Sequence, residues 1–183
     1  MTLYKLIVMT LLFFTYSEEY TLLVRYQSTE FYTLSPNEEA LQPVNWSVDH
    51  YMHAPDWSDS AGLIAYIIDP SRVGLLDMAT SETRVIDVPP SGFSYGDIAW
   101  STDGQGLYLV EGITREGETT TQLRFYALDG TRNEVLLGPY EGRQGLVLYR
   151  VQPSPDGEWI ALEGLETEMG DYNIFLIPAD CIP

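Results

Sequence analysis

Basic residues are scarce in this 183-residue sequence, where nine lysines and arginines stand against 27 aspartates and glutamates. The net charge is −18 at pH 7. A surface of that sign repels a phosphate backbone, so we expect no nucleic acid among the partners of this protein. Cysteine is scarcer still: Cys181 has no second cysteine for an internal disulfide, which excludes a disulfide-stapled fold and leaves the redox compartment open.

The sequence also lacks the short motifs that carry common enzyme chemistry. It contains no Gly-x-Ser-x-Gly nucleophile elbow, no His-Glu-x-x-His helix, no phosphate-binding glycine loop and no dinucleotide-binding fingerprint. We therefore predict that the chain is not an enzyme and binds no cofactor. His50 and His53 lie near Asp49 and Asp56, but their spacing matches no strong zinc pattern. We predict a connecting segment there, with a metal site as the alternative.

No segment after residue 16 shows a sustained helical period of apolar residues, which excludes a long amphipathic helix. The sequence has instead a stretch that occurs three times, at residues 56–67, 99–110 and 152–162. Each copy begins with short polar residues that favour a chain reversal and continues into an apolar run that predicts a strand. Because aspartates recur at these turns, we interpret them as hairpin caps and not as catalysts. The predicted turn residues are Ser58, Asp59, Ser101, Asp103, Gly104, Ser154, Asp156 and Gly157.

Each copy leads through a loop to further predicted strands, which gives four antiparallel strands in about 45 residues, the pattern of a β-propeller blade. We predict a single all-β domain of about four blade-like units, near residues 1–44, 45–88, 89–137 and 138–183. The second and third copies are spaced more widely than the first and second, and we assign this excess to loops at residues 111–121 and 138–145. The last unit ends without a fourth predicted strand.

The clearest copy has the form Trp-Ser-x-Asp-Gly-x-x-Leu-x-Leu and closes on Leu-Asp-Gly at residues 128–130. This form resembles the WD-like blade repeat of TolB-type propellers, which is related to the blades of prolyl oligopeptidases. The resemblance covers residues 55–180, with Ser60 and Ala61 replacing the Asp-Gly of the first copy and Pro153 replacing the tryptophan of the last.

The resemblance implies a non-enzymatic binding or scaffold module in the periplasm or outside the cell, with a protein or peptide as its partner. It also leaves two alternatives. One is the propeller portion of a larger serine-peptidase-like hydrolase that gates access of the substrate. The other is a lectin-like propeller that binds carbohydrate.

The first 16 residues admit two interpretations. Lys5 and the apolar run at residues 6–14 resemble the start of a secretory signal peptide, but no small-x-small cleavage pattern follows. The run is too short to span a bilayer as a helix. We favour the alternative, in which this segment is a strand within the fold that either begins the first unit or pairs with the unfilled edge of the last.

Aromatic residues are abundant, with thirteen tyrosines, six phenylalanines and four tryptophans. Trp57, Trp100 and Trp159 fall within the repeat, so we predict that they pack between blades. Other aromatic residues lie in or beside connections, where binding residues are common, although such positions also suit ordinary core residues. The candidate binding face consists of Tyr51, Phe93, Tyr95, Tyr140 and Tyr149.

Overall fold

The computed structural model describes residues 22–26, 30–34, 40, 42–44, 52–69, 71–86, 94–141, 146–166 and 170–179. These residues are almost entirely in antiparallel strands, which confirms the predicted all-β class. The chain divides into two units, residues 1–51 and 52–183. No helix in the described part of the chain is long and apolar enough to cross a membrane.

The first unit contains one antiparallel sheet of three described strands in the order β1-β2-β3. The strands are β1 (Leu22–Tyr26), β2 (Glu30–Leu34) and β3 (Gln42–Val44). These strands lie within the first predicted blade-like unit, near residues 1–44. The strand predicted at residues 6–14 lies outside the described residues.

The second unit contains three sheets, and in each of them every strand pairs with the next strand along the chain. The first sheet consists of β4 (His53–Ser58), β5 (Leu63–Asp69), β6 (Arg72–Asp77) and β7 (Thr83–Ile86). The second consists of β8 (Ser94–Trp100), β9 (Gly106–Arg115), β10 (Glu118–Ala127) and β11 (Asn133–Glu141). The third consists of β12 (Leu146–Pro153), β13 (Trp159–Glu166) and β14 (Asp171–Pro178). Four-stranded meanders of this length confirm the prediction of propeller blades.

The turn between β8 and β9 is organised by the side chains of Ser101 and Asp103. Ser101 Oγ donates to Asp103 Oδ1 at 2.6 Å and accepts from the backbone N–H of Gly106 at 2.9 Å. Asp103 Oδ1 also accepts from the N–H of Gln105 at 3.0 Å. Gly104 has φ +70°, a conformation that is strained for other residues. The hydroxyl and carboxylate thus satisfy the backbone donors at the reversal.

The turn between β12 and β13 repeats this arrangement. Ser154 Oγ donates to Asp156 and accepts from the N–H of Trp159, while Asp156 accepts from the N–H of Glu158. Gly157 has φ +73°. The matching geometry means that residues after the two turns can be compared one by one.

The turn between β4 and β5 is built differently because Ser60 and Ala61 replace the Asp-Gly pair. Ser58 Oγ lies 2.8 Å from Ser60 Oγ and accepts from the N–H of Ala61 at 3.1 Å. Asp59 is exposed and contributes its backbone carbonyl, which accepts from Gly62 at 3.3 Å. Gly62 retains a positive φ of +66°.

The β8–β11 sheet packs between the other two sheets of the second unit. On one face Trp100, Leu107 and Leu109 join a buried cluster with residues of β5 and β6. On the other face Ala99, Val110 and Leu123 join a second cluster with residues of β12 and β13. Each sheet therefore stabilises the next through an apolar contact.

Trp100 is buried, as the prediction of packing between blades requires, and Trp57 is partly buried. The prediction is wrong for Trp159, which is 43% exposed. Trp159 pairs with Pro178 on the side of the last sheet that turns away from the β8–β11 sheet. Trp159 therefore aligns with Gly106 and not with Trp100, and no described sheet packs on its side of the last sheet.

The prediction of a loop at residues 111–121 is also wrong. β9 continues to Arg115, a turn at residues 116–117 comes next, and β10 begins at Glu118. Threonine is a good strand former because its branched side chain suits the pleated surface. Thr114 and Thr119 lie opposite each other in this hairpin with their hydroxyl oxygens 3.1 Å apart. The wide spacing of the repeats is therefore taken up largely by longer strands.

Candidate functional site

The edge strand of the last sheet exposes three large apolar side chains. Tyr172, Ile174 and Leu176 of β14 are 63%, 74% and 64% exposed. Alternate residues of a strand share one face of a sheet, so the three form a single row. Phe175 and Ile177 point the other way and pack against the β8–β11 sheet. β14 therefore has apolar residues on both faces, and one face is covered.

The other strands of the last sheet extend this surface. β13 places Ala161 opposite Leu176, while Trp159 lies opposite Pro178. Tyr149 of β12 sits at an irregularity in the β12–β13 register, and its ring centroid lies 5.6 Å from that of Tyr172. Burial beside Tyr172 raises the pKa of Tyr149, so its hydroxyl stays neutral. We call the surface formed by Tyr149, Trp159, Tyr172, Ile174 and Leu176 the open face.

The repeat shows what a face of this kind contacts elsewhere in the protein. Gly106 and Trp159 each lie five residues after the serine of their turns, and they pair with Ala127 and Pro178 respectively. Counting back along β10 and β14 from these pairs matches each residue of the row to a residue of the previous sheet. Leu176, Ile174 and Tyr172 correspond to Phe125, Leu123 and Thr121.

These corresponding residues of β10 all lie against the last sheet. Leu123 is fully buried and Phe125 packs on the same cluster. Thr121 Oγ1 accepts a hydrogen bond from the N–H of Leu148 in β12 at 2.9 Å. The open face thus occupies the position by which one sheet binds the next, and it stays exposed in the part of the chain that the structure describes.

Acidic residues surround the open face. From residue 154 to the end the sequence has seven acidic residues and no basic one. Glu166 lies opposite Asp171 at one end of the β13–β14 hairpin, and Glu158 precedes Trp159 at the other end. Glu163, opposite Ile174, contacts the exposed Arg150 at 3.6 Å. The surface is therefore apolar at its centre and negative at both ends.

Of the aromatic residues predicted as a binding face, only Tyr149 is shown on an exposed surface. The prediction is wrong for Tyr95, which is 6% exposed because it packs between the β4–β7 and β8–β11 sheets. Tyr140 lies in β11, and its side chain is outside the description. Tyr51 and Phe93 also lie outside the described residues.

Sequence reasoning missed the three exposed residues of β14. The alternation of Tyr172, Ile174 and Leu176 was the available signal, together with the lack of a predicted strand after them. Apolar alternation by itself indicates a half-buried strand and does not tell which residues remain uncovered.

A buried polar cluster in the β8–β11 sheet is the other constellation that resembles a site. Glu111 is fully buried, and it accepts hydrogen bonds from Arg124 Nε at 3.0 Å and from Gln122 Nε2 at 2.5 Å. Tyr95 lies opposite Glu111, and burial together with that carboxylate raises the pKa of Tyr95 to about 12. Because its charges pair with each other and its carboxylate is closed to solvent, we interpret this cluster as part of the interior of the sheet and not as a binding site.

Two carboxylates connect the first strands of successive sheets. Asp56 of β4 accepts from the backbone N–H of Trp100 in β8 at 2.8 Å, and its own carbonyl accepts from Trp100 Nε1 at 3.0 Å. Asp97 of β8 accepts from the N–H of Val151 in β12 at 2.9 Å. Burial raises the pKa of Asp56 to about 7 and that of Asp97 to about 6, and the backbone hydrogen bonds oppose these shifts.

These contacts bear on the metal site considered at residues 49–56. Asp56 is buried and binds the backbone of the next sheet, whereas His53 is exposed. Asp49 and His50 lie outside the described residues. Within the described ranges, no group of three histidine, cysteine or acidic side chains is placed to hold a metal ion.

No protein-family model matches the chain, and no curated protein matches it in sequence. Solved structures do resemble it. YCF48 from Cyanidioschyzon merolae is 15% identical with a TM-score of 0.59, over 90% of this chain and 50% of that one. YCF48 bound to a D1 peptide is 15% identical with a TM-score of 0.56, over 87% of this chain and 47% of that one.

An oligogalacturonate lyase from Vibrio parahaemolyticus is 12% identical with a TM-score of 0.52, over 91% of this chain and 60% of that one. These neighbours are propeller proteins, so the chain has a β-propeller fold. The chain spans about half to three-fifths of the length of these neighbours. Identities this low show the fold alone. These neighbours include both a peptide-bound protein and an enzyme.

Proposed function

We propose that this protein is a non-enzymatic propeller module that binds another protein or a peptide through the open face. The observation that carries the proposal is the exposure of Tyr172, Ile174 and Leu176 at positions whose counterparts in the preceding sheet are covered. Burying one such side chain stabilises a complex by about 1.5–3 kcal/mol before the costs of association. A row of three with two aromatic neighbours is therefore a strong site for a partner.

Two further points support a binding role. A solved propeller that resembles this chain is bound to a peptide. The described acidic residues with raised pKa values are engaged with backbone N–H groups between sheets, where they serve structure. A location in the periplasm or outside the cell belongs to the same proposal, because it rests on the resemblance to TolB-type repeats.

The test selects peptides that bind the purified chain from a displayed random library and then measures their affinity for two variants. Ile174→Glu places a charge at the centre of the open face. Val85→Glu is the matched control, because Val85 is also an exposed apolar residue of an outer strand, in a different sheet. We expect Ile174→Glu to weaken binding by about tenfold or more and Val85→Glu to leave it unchanged. If no peptide is enriched, or if both variants bind equally well, the proposal is wrong.

A further inference from the structure

The last sheet offers an unpaired strand edge beside the open face. In the β4–β7 and β8–β11 sheets, a fourth strand pairs with the outer side of the third strand, as β7 does with β6 and β11 with β10. β14 corresponds to β10 in register, yet among the described residues no strand lies on its outer side. Every second residue of an edge strand turns its N–H and C=O outward. Within the described residues, the fourth position of this blade is therefore unfilled.

The length and side chains of β14 limit what such a strand can be. β14 has eight residues, so the added strand has about the same length. Residues opposite Tyr172, Ile174 and Leu176 would lie on the open face, where apolar side chains extend the exposed row. Residues in between would lie on the side of Phe175 and Ile177, which packs towards the β8–β11 sheet.

The charges around β14 determine what lies at the ends of the added strand. One end of the β13–β14 hairpin carries Glu166 and Asp171, and the other carries Asp156 and Glu158. The described residues at both ends include no basic side chain, because the sequence has none after residue 150. Lysine or arginine at each end of the added strand would be attracted to these carboxylates, whereas acidic ends would be repelled.

We infer that the partner is an extended segment of about eight residues, with apolar residues at alternate positions and lysine or arginine at both ends, which adds to β14 as the fourth strand of the last sheet. Main-chain hydrogen bonds to β14 supply affinity, and the open face selects the alternate apolar side chains. The inference rests on the proposed function and specifies its partner.

The test uses synthetic eight-residue peptides of alternating valine and threonine flanked by lysine pairs, with affinity for the full chain measured by fluorescence anisotropy. Two versions carry N-methyl groups, one on the odd-numbered and one on the even-numbered residues. N-methylation removes a backbone donor, so only the version methylated on the edge that faces β14 loses its pairing. We expect one version to bind at least about tenfold more weakly and the other to bind as the parent does.

Charge is tested with the same peptide flanked by glutamate pairs. We expect it to bind more weakly than the lysine version, by a margin that shrinks as the salt concentration rises from about 50 mM to about 500 mM. Equal binding of the lysine and glutamate versions at low salt would overturn the basic assignment.

Three outcomes would overturn the inference that an external segment adds to β14. The first is equal binding of the two N-methylated versions. If Ile174→Glu still weakens binding in that case, the proposed function stands and only its mode is wrong. The second is self-association of the chain in sedimentation that the peptide disperses, since the occupant is then a second copy. The third is a rise in peptide affinity when residues 1–16 are deleted, since the edge is then covered by this chain.

Discussion

Asp56 is a buried carboxyl group that contributes a pH-dependent term to the stability of this protein. Its carboxylate is buried against the N–H of Trp100, and its pKa is raised to about 7. Between about pH 4 and pH 7 the folded chain therefore holds a proton that the unfolded chain releases. The resulting stabilisation is full below pH 4 and is lost as the pH rises through 7. Asp97, with a pKa of about 6, acts in the same direction.

We predict that the free energy of unfolding falls by a few kcal/mol between pH 5 and pH 8, measured by urea denaturation. Asp56→Asn keeps an oxygen that can accept from Trp100 but cannot ionise, so it should remove most of this fall. The pKa values of exposed carboxylates such as Asp69 and Asp129 are lowered, so these groups lose their protons below pH 5. They therefore do not contribute to the change in stability between pH 5 and pH 8.

The matched control for this prediction is Asp59→Asn, which changes an exposed aspartate in the turn just after Asp56. It should leave the pH dependence as it is in the unmodified chain. A free energy of unfolding that rises from pH 5 to pH 8, or an Asp56→Asn variant with the full dependence, would contradict the role given to this carboxyl group.

Hairpins are the elements that could be predicted best from the sequence. The Ser-x-Asp-Gly turns at Ser101 and Ser154 are local, because every group that organises them lies within five residues. The hairpin at residues 106–127 was harder to predict. In this polar hairpin Glu111 can be buried because it accepts hydrogen bonds from Gln122 and Arg124, which lie eleven and thirteen residues away in the sequence. A partner at that distance in the sequence leaves no local pattern.

The turn aspartates give a prediction at this scale. Asp103→Ala removes an acceptor for the Ser101 hydroxyl and for the N–H of Gln105, so we expect the melting temperature to fall by a few degrees. Asp156→Ala should act in the same direction for the same reason. In both variants the peptide affinity should be unchanged, because these residues hold turns. Both quantities can be measured, the first by circular dichroism and the second by fluorescence anisotropy.

Asp59→Ala is the control for the turns, because Ser60 and not Asp59 contacts the serine of the first turn. Its effect on the melting temperature should be the smallest of the three. A loss of peptide binding in Asp103→Ala or Asp156→Ala at an unchanged melting temperature would mean that a binding residue had been taken for a turn residue.

At the scale of the whole molecule, the repeat predicted the propeller fold but not which of its faces stays exposed. A face such as that of Ile174 has the same apolar pattern as the face of Leu123, and the two differ only in whether another sheet packs on them. Whether another sheet packs on β14 depends on residues outside this strand, so the sequence of β14 does not predict it. The same reasoning explains Trp159, whose place in the repeat matches a buried position although it is itself exposed.

The last prediction concerns the first 16 residues, for which we favour a strand within the fold that either begins the first unit or pairs with the outer edge of the last sheet. Among the described residues β1 is an edge of the first sheet, so a strand that begins the first unit would pair with it. Deleting residues 1–16 should then expose the β1 edge and cause aggregation, measured by light scattering and by the melting temperature. A signal peptide would be absent from the mature chain, so under that alternative the truncated protein stays monomeric with an unchanged melting temperature. That second result would contradict the strand and place the protein in the secreted class.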